Sequence, residues 1–102
     1  MSGSWRLMQG DIHLGDLHQY EIDQPTFLCH FTPGPGWETV RDLFEAWAAV
    51  QGADPDGSRH TEAVRPLVAL DLTLAPMDGS TPMRCFKDCI VRIYGDVARL
   101  RY

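Results

Sequence analysis

Four arginines near the carboxyl end, Arg84, Arg92, Arg99 and Arg101, alternate with Phe86, Ile90 and Tyr94, the residue types that dominate buried contacts between proteins. Their spacing suggests where they point. Gly95-Asp96 between two alternating runs is a two-residue hairpin turn, which sets Tyr94 opposite Val97, Arg92 opposite Arg99 and Ile90 opposite Arg101, all on one face. The other face then holds Cys89, Val91, Ile93, Ala98, Leu100 and Tyr102, nearly all apolar and expected to look inward. If the preceding strand keeps its phase, Arg84, Phe86 and Asp88 extend the first face. Two arginines placed directly opposite each other repel by about 0.2–1 kcal/mol, so something must offset them. The plainer account is an internal carboxylate, Asp71 from a neighbouring strand or Asp88 on the same face, with solvent screening the rest. The sharper account is that an acidic protein partner, or a second copy of the chain, supplies the missing charge.

The other reactive side chains carry weaker patterns. With Gly15-Asp16 as a tight turn, His13 and His18 become cross-strand neighbours with Asp11 on the same face, two histidines and one carboxylate. Three ligands on one hairpin, without visible supporting groups, favour exposed histidines over a metal site, and neither metal nor cofactor is expected. Cys29 and His30 are consecutive on a strand and point to opposite faces, so they cannot form a thiolate and base pair locally. Cys29, Cys85 and Cys89 lack C-x-x-C spacing and share the phase of apolar neighbours, which predicts buried, reduced thiols. Pro33-Gly34-Pro35-Gly36 removes its own backbone donors with proline and lacks a following lysine, so no phosphate loop is present.

Hairpins and a helix must position these groups. Residues 5–8 and 12–22 read as paired strands, with Gly10-Asp11 preferred as the turn and Gly15 as a bulge. Asp23-Gln24-Pro25 breaks the run, and residues 26–31 resume it with Phe27, Cys29 and Phe31 on one face. After the rigid turn 32–36, Trp37, Val40, Leu43, Phe44, Trp47 and Val50 fall at helical period, which predicts a helix over 37–51 with Gly52 at its end. Residues 53–59 read as a polar loop, with Ser58 capping a short helix that Pro66 stops. Val68, Leu70, Leu72 and Leu74 alternate with smaller or polar residues as a half-buried strand, closed by Pro76 and the Asp78-Gly79 turn. Residues 83–94 and 97–102 complete the pattern.

The order of strands, helix and strands, without βαβ repetition, predicts one α+β domain over residues 1–102. It would hold an antiparallel sheet of five to six strands with one main amphipathic helix packed on one face. At 102 residues and 44% hydrophobic content the chain can bury one core, which excludes a large enzyme architecture.

The chain resembles a small family of high-GC bacterial α+β proteins to which no function is assigned. The likeness lies in Trp5 and Leu7, Leu14-Gly15-Asp16-Leu17, Asp23-Gln24-Pro25, Val40-Arg41-Asp42-Leu43-Phe44 and the closing 95–102 segment. These motifs are structural in kind; they imply a fold and carry no catalytic residue.

A net charge of −5 disfavours nucleic acid, but it is unevenly spread: residues 1–50 hold seven acids to two bases, and residues 82–102 five bases to two acids. No signal-peptide pattern or apolar run of spanning length appears, which with the reduced thiols predicts a cytoplasmic protein away from membranes. The expectation is a non-enzymatic protein-binding module, whether for an acidic partner or as a homodimer. It would act through Arg84, Phe86, Ile90, Arg92, Tyr94, Arg99 and Arg101. The competing reading is a small-molecule-binding domain or small enzyme with a pocket between helix and sheet behind Trp37 and Trp47.

Overall fold

The computed structural model describes residues 3–50 and 54–102. Among the described residues, seven strands form one antiparallel sheet: β1 (Ser4–Gln9), β2 (Ile12–Asp23), β3 (Thr26–Pro33), β4 (Thr73–Pro76), β5 (Met83–Arg84), β6 (Ile90–Tyr94) and β7 (Val97–Arg101), in the spatial order β5-β4-β1-β2-β3-β7-β6. Two α-helices among the described residues, α1 (Arg41–Ala48) and α2 (Ser58–Ala69), lie between β3 and β4 in the chain. The α+β class and antiparallel pairing are as expected, with more strands and a second full helix.

Turns and bulges give the sheet its curl. Gly10 and Gly95 take φ of +57° and +59° as the first residues of the two-residue turns that join β1 to β2 and β6 to β7. β2 carries two extra residues: the register skips Leu14 against β1, beside Gly15, and Tyr20 against β3. Each bulge sharpens the local twist, so the long β2–β3 spine bends and draws the sheet edges together. The segment between β5 and β6 closes the gap, with Cys85 bridging Cys89 and the Phe86 N–H donating to the Cys89 carbonyl at 2.6 Å. The expected continuous strand over 83–94 is therefore interrupted: Phe86 has φ +67° and starts a turn.

The concave side is filled. Leu7, Leu14, Leu17, Leu74, Ala98 and Leu100 point inward from the strands and are wholly buried; Trp37, Phe44 and Trp47 close over them. The aromatic stripe that predicts one helix over 37–51 is split. Trp37–Thr39 is a 3₁₀ turn, Val40 leaves helical geometry at φ −122°, and α1 begins at Arg41. Gln51, Gly52 and Ala53 lie outside the described residues.

α2 departs most from expectation. Ser58 is its first helical residue and does not cap it; Asp54 accepts from the backbone N–H groups of Arg59 and His60, both at 3.2 Å, and Asp56 accepts from that of Ser58. Pro66 sits inside the helix, which continues to Ala69, so Val68 and Leu70 belong to α2 and its end and not to a strand. Proline deletes only one backbone donor, and tertiary packing of Leu67, wholly buried, holds the last turn. α2 docks on α1, where the Trp47 indole N–H donates to His60 Nδ1 at 3.2 Å. No described helix is long and apolar enough to cross a membrane.

Candidate functional site: the outer face of the β6–β7 hairpin

The register of β6 against β7 pairs Ile90 with Arg101, Arg92 with Arg99 and Tyr94 with Val97, as the two-residue turn dictates. Val91, Ile93, Ala98 and Leu100 face inward at 0–2% exposure, which leaves the charged set on the convex side. β7 pairs on its other flank with β3, so the outer face runs on through Thr26, Leu28 and His30. It then reaches Asp23, Glu21 and His18 on β2.

Arg92 solves the repulsion from Arg99 without a carboxylate. β6 is the sheet edge beside α1, and the Arg92 side chain reaches the end of that helix, where Nη2 donates to the carbonyls of Trp47 at 2.9 Å and Val50 at 3.1 Å. The last carbonyls of a helix lack intrahelical partners and carry the negative end of its dipole, so a guanidinium is favoured there. The cation also stacks on two rings, its central carbon 5.0 Å from the centroids of both Trp47 and Tyr94, and Arg99 approaches Tyr94 at 5.9 Å. Tyr94 thus stacks with two arginines.

Ala48, Val50, Arg92, Tyr94, Val97 and Arg99 enclose an open hollow of about 400 Å³. Its wall holds two cations, an aromatic ring and aliphatic groups, with no carboxylate among these residues. Arg99 and Arg101 are exposed, and among the described residues no acid lies within ion-pair distance of Arg92, Arg99 or Arg101. Asp71 does not compensate them as expected: it sits at the α2–β4 junction with φ +56°, and β4 pairs with β1 and β5, on the far side of the sheet.

Two of the seven candidates lie elsewhere. Arg84 stands on β5 opposite Thr73 and pairs with Asp88, whose carboxylate accepts from the Arg84 backbone N–H at 2.9 Å and lies 3.5 Å from its Nε. These contacts hold the Asp88 carboxyl below its usual range, the backbone hydrogen bond first. Phe86 turns toward the core, its ring 5.8 Å from that of Trp47. The outer face of the hairpin therefore does not continue through Arg84 and Phe86, because the chain turns at 85–89. Conversely, Val50 and the Trp47 carbonyl belong to the site although they lie more than forty positions from Arg92; a helix end seeking a cation was the only local signal.

The turn is Gly10-Asp11, so His13 and His18 both stand on β2. His13 Nε2 contacts Asp16 at 2.8 Å, His18 Nδ1 contacts the Ser4 hydroxyl at 2.9 Å, and Arg6 also reaches Asp16. Among the described residues no three His, Cys, Asp or Glu side chains converge as metal ligands. His30 is exposed and stacked on Tyr20 at 4.3 Å, opposite in facing to the buried Cys29, whose thiol is pushed up to about 11 by burial. Cys85 and Cys89 are buried neighbours; the hydrogen bond to Cys89 and burial both keep the Cys85 thiol protonated, and accepting that bond lowers Cys89. In comparisons with protein-family models, curated proteins and solved structures, nothing matches this chain.

Proposed function

We propose that the chain is a non-enzymatic binding module that docks a carboxylate-bearing protein surface on the outer face of β6–β7, through Arg99, Arg101, Tyr94 and Ile90, with Arg92 holding the platform in place. The observation that carries this reading is the set of three guanidinium groups, Arg92, Arg99 and Arg101, that have no carboxylate partner among the described residues, on one side of a chain whose net charge is −5. Unneutralised arginine beside aromatic and aliphatic groups is what the centre of a protein interface uses. Ile90, 47% exposed, adds apolar area at the margin.

Arg92 is a poor residue to test because its replacement also loosens α1. R99S/R101S leaves the described hydrogen bonds intact. A fluorescein-labelled peptide of alternating glutamate and tyrosine should bind the unaltered protein in a salt-sensitive manner and bind R99S/R101S roughly tenfold or more weakly. Equal affinity for both proteins would remove this reading.

A ligand pocket between helix and sheet has narrower support. A hollow of about 230 Å³ lies between α1 and β6, lined by Trp37, Glu38, Arg41, Phe44, Glu45 and Ile93 among others. It falls below the roughly 300–1,000 Å³ of ordinary small-molecule sites. A metabolite that shifts tryptophan fluorescence would favour it over the protein-binding face.

A further inference from the structure

We infer that a second copy of the chain occupies the β7 side of this face, docked face to face about a two-fold axis that runs along β3, with Ile90 and Tyr94 of β6 outside the contact. This rests on the binding-face reading above and names its partner.

Charge is ordered across the sheet. Read from β7 through β3 to β2, one row of outward side chains is Arg101, Thr26, Asp23, and the next is Arg99, Leu28, Glu21. Each row runs cation, neutral, anion, with its neutral member on β3. Glu21 and Asp23 are exposed and, like Arg99 and Arg101, have no ion-pair partner among the described residues. A two-fold axis lying in the contact plane and parallel to β3 exchanges left and right while keeping each row at its own height. It therefore sets Arg99 over Glu21 of the second copy and Arg101 over Asp23 of the second copy, and the reverse, giving four reciprocal pairs from one register. Leu28 and Thr26 meet their own equivalents on the axis, so the centre of the contact is uncharged.

Another acidic protein fits less well. It would gain from Arg99 and Arg101 but meet Glu21 and Asp23 two strands away on the same surface, whereas a second copy satisfies both ends. The size of the contact follows from the curl. A convex sheet touches its mate along its crest, here three strands about 4.8 Å apart, so the buried area falls short of the standard interface and the dimer should be weak and sensitive to salt.

Charge reversal with complementation tests this. In sedimentation equilibrium at low salt the unaltered chain should show a concentration-dependent dimer that dissociates on adding salt. R99E/R101E carries only acids at the four positions and E21R/D23R only bases, so each alone should be monomeric. Mixed one to one, they should form a heterodimer, an outcome that also requires both variants to be folded. A dimer that survives in either variant alone, or a mixture that stays monomeric while both variants keep the circular dichroism of the parent, overturns the proposed pairing. If the unaltered chain is a monomer at all salts yet binds the acidic peptide through Arg99 and Arg101, self-association fails and the binding-face reading stands. If it neither dimerises nor binds the peptide, both fail.

Discussion

The Arg92 guanidinium donates to the Trp47 carbonyl at 2.9 Å and stacks 5.0 Å from the indole ring of that same residue. One side chain on the sheet edge thus fastens both the end of α1 and its largest buried aromatic. Trp47 in turn bonds His60 of α2 and packs against Phe86, so the joint connects both helices to the edge of the sheet. The Arg92 Nε is buried without a hydrogen-bond partner among the described residues, a cost that the stacking and the two carbonyl bonds must exceed.

Arg92→Ala should therefore destabilise the domain by about 2–3 kcal/mol, since it removes two charge-assisted hydrogen bonds at the end of α1 and leaves the Trp47 carbonyl with backbone donors alone. Arg92→Lys should recover only part of this, because an ammonium cannot span two carbonyls while lying flat on two rings. Arg99→Ala, at an exposed position, should change stability by no more than about 0.5 kcal/mol. Urea unfolding of the three variants makes the comparison; equal effects at positions 92 and 99 would mean that the helix-end contact carries no weight.

The hairpin register and the Gly10-Asp11 turn were legible because turn chemistry is local: two residues decide the pairing of those that flank them. The long-range consequences were not. Val68, Leu70, Leu72 and Leu74 alternate as a strand would, yet the first two complete a helix whose last turn is held by Leu67 in the core, a tertiary effect that overrides the pattern. Nothing local announces that Phe86 adopts positive φ and swings Arg84 to the opposite edge of the sheet. The candidate face was thus visible as far as one hairpin extends. Its charge balance was not, since both the α1 terminus that serves Arg92 and the acids on β2 come from distant chain.

Pro66 lies within α2, where it removes the backbone donor that would serve the Glu62 carbonyl. Pro66→Ala should restore that bond and stabilise the domain by about 1 kcal/mol, the entropy advantage of proline in the unfolded chain offsetting part of the gain. For a domain of this size the melting temperature should rise by roughly 4–8 °C. A fall in melting temperature, followed by circular dichroism, would show that the helix does not run through position 66.

Gly15 is required by its neighbour rather than by its own backbone. A Cβ there would stand 2.4 Å from two carbons of the buried Phe31 ring and 3.0 Å from the Thr32 carbonyl oxygen. Gly15→Ala should cost about 1–3 kcal/mol through overpacking. Phe31→Leu in the same chain should relieve part of that cost, giving a coupling of about 0.5 kcal/mol or more in a double-mutant cycle. Strict additivity would place the strain elsewhere.

Cys29 links burial to alkaline stability. Its thiol is pushed from 9.0 up to about 11 by loss of solvent, in a position flanked on β3 by Leu28 and His30 and wholly covered. Between these values the unfolded chain releases the thiol proton while the folded chain keeps it, so the unfolded state binds fewer protons and stability falls as pH rises. The contribution is complete below about pH 9 and gone above about pH 11. Cys29→Ala lowers stability throughout by leaving a small void, but it should flatten the decline across that window because the titrating group is gone. Unfolding free energies measured from pH 8 to 11 on both proteins give the slopes directly. Parallel curves would mean that the thiol ionises as readily inside the sheet as in the open chain, which a side chain with no solvent contact cannot do at equilibrium without the strand moving to admit water.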